Sequence, residues 1–196
     1  MSLAQAIYTD CNKVLTNYEK KATPGTFKFS EFAKEWREMK FELIFAGRQY
    51  MGELPYFCRL LFYIAKRFMF QQSSSQIKRV GAFFLCYSLY EKQPLKLKVR
   101  LTLDELKTLL SLVRQLQHSN NSLEPMFIFS KMLVDNAFHF CATSTDHMLL
   151  GMKPAETKEV PAELLNLIPD SQIEEFFQEI DTCSLSQLNH IESMLG

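Results

Sequence analysis

At 196 residues the chain is either one large domain or one domain with an appendage, and it is long enough to bury a core unaided. Six Gly and seven Pro disfavour a turn-rich all-β fold, and no stretch approaches the ~20 apolar residues of a membrane span. Net charge is zero from 22 basic and 22 acidic residues, but from Phe57 to Arg114 eleven basic residues face only Glu91, Asp104 and Glu105, whereas from Lys153 onward nine acidic residues face Lys153 and Lys158. This asymmetry points to a polyanion near the middle, or to the acidic end docking on a basic partner. Two solvated faces that screen each other within a Debye length of ~8–10 Å account for it as well.

The first helix is expected from about Ala4 to Lys21, with Ile7, Cys11, Val14, Leu15 and Tyr18 on one stripe. Ala22-Thr23-Pro24-Gly25 breaks it. Ser30 is placed to cap a second helix that runs from Phe32 to Gly47 and holds the only tryptophan. Phe32, Trp36, Met39, Leu43 and Ile44 share one side of it, and Phe41 and Phe45 widen the stripe beyond what one small neighbour covers. Leu54-Pro55 opens a third helix, with Phe57, Leu60, Leu61, Ile64, Ala65 and Phe68 as its buried stripe. After the polar break Gln71–Ser75, a fourth helix extends to about Tyr90. It is apolar nearly all round from Val80 onward, which places it centrally, and Gly81 would permit close approach by another helix.

Lys96 to Leu101 alternates strictly, which is strand-like. With no partner strand in view, the segment reads as an extended connector that points three cations one way. Thr102-Leu103-Asp104-Glu105 is a capping box opening a helix to about His118. Another helix follows from about Leu123 to Asn136 and can extend through Phe138-His139-Phe140-Cys141. The expectation is an all-α fold, an antiparallel helical bundle or short superhelix over 1–142. A polar linker over 143–161 and an acidic helical tail over 162–196 complete it, the tail packing on the core or on a partner.

No Gly-rich phosphate loop, Gly-x-Ser-x-Gly or His-Glu-x-x-His occurs, and His118, His139, His147 and His190 lack metal-ligand spacing. The five cysteines are scattered without a Cys-x-x-Cys, which fits a reduced, intracellular setting and no metal or cofactor. No signal-peptide pattern is evident at the N-terminus. A Cys141/His139 nucleophile pair would need a thiolate-stabilising setting and an oxyanion site, neither of which the sequence supplies, so no enzyme is expected. If the third and fourth helices are antiparallel, Lys66, Arg67, Lys78 and Arg79 gather at one end, and Lys96, Lys98 and Arg100 lie at the other. Such groups can contact a nucleic-acid backbone, which positions a protein but does not read sequence. Phe41, Phe45, Phe62, Tyr63, Phe176 and Phe177 are the surplus apolar positions expected to be covered by partner chains.

Four ordered stretches carry a resemblance. They are Thr9-Asp10-Cys11; Phe29–Phe32 leading through Trp36–Phe41 to Ile44–Arg48; Gln76–Ala82 with Tyr87–Tyr90; and Phe127–Phe129 with Leu133–Phe140. Together, over about Thr9 to Ala142, they resemble the subunit 1 family of the small nuclear RNA activating protein complex. Lys78 departs from the family's contiguous Gln-Ile-Arg-Val-Gly and shifts helix phase by ~100° before Arg79. A long polar C-terminal region of the family is not matched, which reads as a shortened chain. The resemblance implies a nuclear, non-enzymatic scaffold with a shape similar to VHS-type domains. It would join a Myb-repeat large subunit and a zinc-containing subunit on the proximal promoter element of small nuclear RNA genes. With the TATA-binding protein, the complex would serve RNA polymerases II and III, and no membrane is implied. The alternative is a helical adaptor of membrane traffic, resembling VHS or HEAT modules, whose basic middle meets acidic peptide or anionic lipid.

Overall fold

A computed structural model of the chain describes residues 2–23, 25–47, 52–120 and 123–144. The linker beyond Ser144 and the expected tail, with Phe176 and Phe177, lie outside the described residues. Helix α1 (Leu3–Lys21) is capped by Ser2, whose hydroxyl accepts the Gln5 N–H at 3.2 Å, and it buries the five residues of its predicted stripe.

The second element departs from the expected single helix. Helix α2 runs only from Phe29 to Glu38, and Ser30 lies inside it. The Phe29 N–H is instead taken by the distant Glu124 carboxylate, which fills the role a local cap would have. At the other end Lys40 is left-handed (φ 51°), and a 3-10 turn spans Phe41–Phe45 before Gly47, also left-handed at φ 74°. The reversal brings Phe41 onto Trp36, with ring centroids 4.9 Å apart. The wide apolar face is therefore two short elements folded on each other, not one helix awaiting a partner.

Helix α3 (Leu54–Phe70) begins with Pro55 in its first turn, and α4 (Gln76–Lys92) is capped by the Ser75 hydroxyl, which accepts the Lys78 N–H at 3.2 Å. Every residue of α4 from Val80 to Tyr90 is buried, as a helix apolar all round requires. α3 packs along α4, and α1, α2 and α6 (Glu124–Val134) pack on it too. Phe29, Phe32, Tyr18, Phe84 and Tyr87 interlock around this axis, largely edge to face.

The fold is helical and bundle-like, with one two-stranded addition. Strand β1 (Val99–Leu101) pairs in parallel with β2 (Phe138–Phe140), Val99 opposite Phe138 and Leu101 opposite Phe140. Helices α5 (Leu103–Asn120) and α6 form the crossover that a parallel pair needs. The segment read as a continuation of α6 is thus a strand. Asn136 stops the helix in a left-handed conformation (φ 52°), the Ala137 N–H reaching the Met132 carbonyl at 2.9 Å and the Asn136 N–H the Leu133 carbonyl at 3.0 Å. This is a Schellman arrangement with Asn in the place usual for Gly.

Candidate nucleic-acid interface

Arg59, Phe62, Tyr63, Lys66, Arg67 and Phe70 recur on α3 at the spacing of one helical face. All six line two adjoining hollows that share Tyr63, Lys66 and Ser144. The first is a cleft whose lining also includes Lys98 and Arg100. Cations alternate with aromatic rings along this face, a combination suited to a phosphate backbone with bases or sugars beside it. Arg59 is one of the eleven basic residues from Phe57 to Arg114. Its spacing to Phe62, Tyr63, Lys66 and Arg67 was the available signal.

The predicted cations do not gather as expected. Lys66 is 5% exposed and already engaged: its ammonium donates to the Glu105 carboxylate and to the Arg100 carbonyl, both at 2.7 Å. Lys78 donates to the Asn12 side-chain carbonyl at 2.8 Å and lies 5.7 Å above the Phe68 ring, tying α4 to α1 and α3. Arg79 Nε donates to the Met69 carbonyl at 3.1 Å, near the end of α3, and its side chain borders a separate depression with Lys107 and Thr108 of α5. The four-cation cluster is therefore divided, with Lys66 joining Lys98 and Arg100 at the cleft and Arg67 lining the adjoining hollow. Lys96 is exposed but left-handed (φ 52°), which breaks the alternation, and it does not line the cleft.

The field at the cleft is read by His139 of β2. Burial, then Arg100, Lys98 and Arg59, hold its imidazole below the usual 6.5. Arg100 Nε is buried with no hydrogen-bond partner among the described residues. The nearby Cys141 thiol is raised by burial, against the pull of Arg100 and Lys66, and its single proton is shared between the carbonyls of Leu101 (3.4 Å) and Thr143 (3.2 Å). A thiol held protonated in this way is not an activated nucleophile. Among the described residues no group of three or more His, Cys, Asp or Glu side chains could hold a metal ion.

Of the apolar positions expected at a partner interface, Phe41 and Phe62 are covered by this chain itself, at 5% and 4% exposure. Phe45 is half-buried, edge-on to Phe57 with ring centroids 6.1 Å apart, and Tyr63 is half-buried in the cleft. Beside Phe45 the 3-10 turn leaves Leu43 56% exposed, which makes that corner the more open apolar surface.

The family model for subunit 1 of the small nuclear RNA activating complex (SNAPc) matches residues 7–194. The snRNA-activating protein complex subunit 1 of Homo sapiens is 32% identical over 144 residues, covering 72% of this chain and 38% of the human one. The Macaca fascicularis protein of the same description is also 32% identical, and that of Mus musculus is 28% identical, each over 144 residues. The chain thus spans 36–38% of the length of these relatives. With that match over nearly its whole length, the chain belongs to the subunit 1 family of the small nuclear RNA activating complex.

Proposed function

We propose that this chain is a non-catalytic scaffold subunit of a nuclear snRNA-activating complex, and that its α3–β1 cleft touches the backbone of promoter DNA. It bridges a Myb-repeat subunit and a zinc-containing subunit on the proximal promoter element, beside the TATA-binding protein, for RNA polymerases II and III. The observation that supports backbone contact is the α3 face, where Arg59 and Tyr63 share a cleft with Lys98 and Arg100, and Arg67 and Phe70 continue the face into the adjoining hollow. Lys66, Lys78 and Arg79 are spent on internal bonds and act by holding helices in place. The partner-facing apolar surface is the Leu43 and Phe45 corner.

The test is co-purification with the Myb-repeat and zinc-containing subunits, then promoter-duplex binding over a salt series. Each lost phosphate contact lowers the slope of log affinity against log salt by ~0.9. Lys98→Glu/Arg100→Glu is expected to leave assembly intact and reduce the slope by about 2. Intact assembly with an unchanged slope reduces the role to scaffold alone. If no complex forms, the subunit reading fails, and binding to anionic vesicles becomes the next measurement. No helix of the described residues is long and apolar enough to cross a membrane.

A further inference from the structure

We propose that the α3–β1 cleft is also the docking site of this chain's own acidic-aromatic segment, Asp170–Asp181. The segment carries five carboxylates (Asp170, Glu174, Glu175, Glu179 and Asp181) and no cation, with Phe176 and Phe177 between them. The cleft presents the complementary set, with Arg59, Lys98 and Arg100 around Tyr63. Charge and aromatic content therefore match on both sides.

Two further observations favour this occupant. The field at the cleft is cationic: Arg100 Nε is buried without a hydrogen-bond partner among the described residues, and burial, then Arg100, Lys98 and Arg59, hold the His139 imidazole below its usual value. The chain also leaves the described region at the cleft itself, because Ser144 forms part of its wall. Twenty-five residues separate Ser144 from Asp170. At ~3.3–3.6 Å per extended residue, such a tether reaches back to its own starting point with length to spare. Tethering makes the encounter intramolecular, with an effective concentration of order mM for a short linker. Docked there, the segment excludes any phosphate backbone from the same cations, and a bound duplex excludes the segment.

The docking is tested on the full chain without nucleic acid. Carbodiimide joins carboxylates directly to amines, and Lys98 supplies the amine at the cleft. A 1:1 mixture of ¹⁵N-labelled and unlabelled chain separates links within one molecule from links between two. The expected result is a Lys98 link to a peptide containing Glu174 or Glu175, with no mixed-isotope pairs. It is lost in ~1 M salt, where the Debye length falls to ~3 Å, and lost in Lys98→Gln. Absence of that link while other lysines of the chain are linked overturns the proposal. Mixed-isotope pairs overturn it as well, since a second copy is then the occupant. A link that survives saturating promoter duplex leaves the docking standing and counts only against DNA contact at this cleft.

Discussion

Lys66 of α3 and Glu105 of α5 form an ion pair 2.7 Å long, with side chains 6% and 17% exposed. Glu105 is also the glutamate of the predicted capping box: its carboxylate accepts the Thr102 N–H at 2.9 Å, and its own N–H donates to the Thr102 hydroxyl at 3.2 Å. One carboxylate thus closes the first turn of α5 and anchors α3 to it. Desolvating two charges is costly, and here the cost is offset by short bonds to both the carboxylate and the Arg100 carbonyl. Lys66→Met leaves Glu105 without its cation and is expected to lower stability by about 3 kcal/mol in urea unfolding. Adding Glu105→Gln should recover part of that loss, because glutamine keeps the capping box without the charge. An unchanged urea midpoint in Lys66→Met would show that the pair contributes nothing net.

Gly81 sets the distance between α4 and α1. A Cβ at this position would lie 2.7 Å from Tyr18 Cδ1 and 3.3 Å from Leu15 Cδ2. The Tyr18 ring is fully buried and edge-on to Phe32 and Phe84, so it has no room to swing aside. Ala would gain ~1 kcal/mol of helix propensity but overpack a site where such strain costs ~1–3 kcal/mol. Gly81→Ala should therefore lower Tm, and a raised Tm would mean that α1 shifts outward at little cost.

The parts of the fold legible in the sequence were those that local chemistry specifies. The α1 stripe, Pro55, Ser75, the Thr102–Glu105 box and the all-round burial of α4 each follow from neighbours within one or two turns. What escaped was non-local. The alternation of Val99 and Leu101 was read, but its partner Phe138-His139-Phe140 lies two helices away, and only the left-handed stop at Asn136 separates it from α6. The cap of α2 comes from Glu124, 95 residues distant, which no local window contains. At the site, the alternation gives Lys98 and Arg100 a shared direction, but by residue type Lys66 is equally available. Its use by Glu105 depends on how α3 meets α5, which residue type alone does not reveal.

The buried cysteines offer a chemical measure of stability. Burial pushes the Cys11 and Cys86 thiols up to about 12 from the usual 9.0, and Cys58 is buried as well. Only the thiolate alkylates, so at pH 8 these thiols should react with iodoacetamide only through unfolding, while half-exposed Cys141 reacts sooner. The unfolded chain loses these two protons near pH 9.0 and the folded chain near 12, so their contribution to stability is complete below 9.0 and falls as pH rises beyond it. Peptide mapping after timed alkylation checks the order. Labelling of Cys11 as fast as Cys141 would mean that α1 opens without global unfolding.

His139 should report on the cleft directly. Burial and then the charges of Arg100, Lys98 and Arg59 favour its neutral form, so the folded chain titrates below the ordinary 6.5. Below 6.5 the unfolded chain binds this proton more readily than the folded one. The stability contribution is therefore whole above 6.5 and is lost as pH falls toward the depressed folded value. Removing one cation by Lys98→Ala should move the His139 midpoint up toward 6.5, and an anionic occupant of the cleft should move it the same way by offsetting the field. Titration of the His139 ring proton by NMR measures both shifts on one resonance. A midpoint that ignores Lys98→Ala would show that burial alone sets it, and that the cations at the cleft are too well solvated to act on a common ligand.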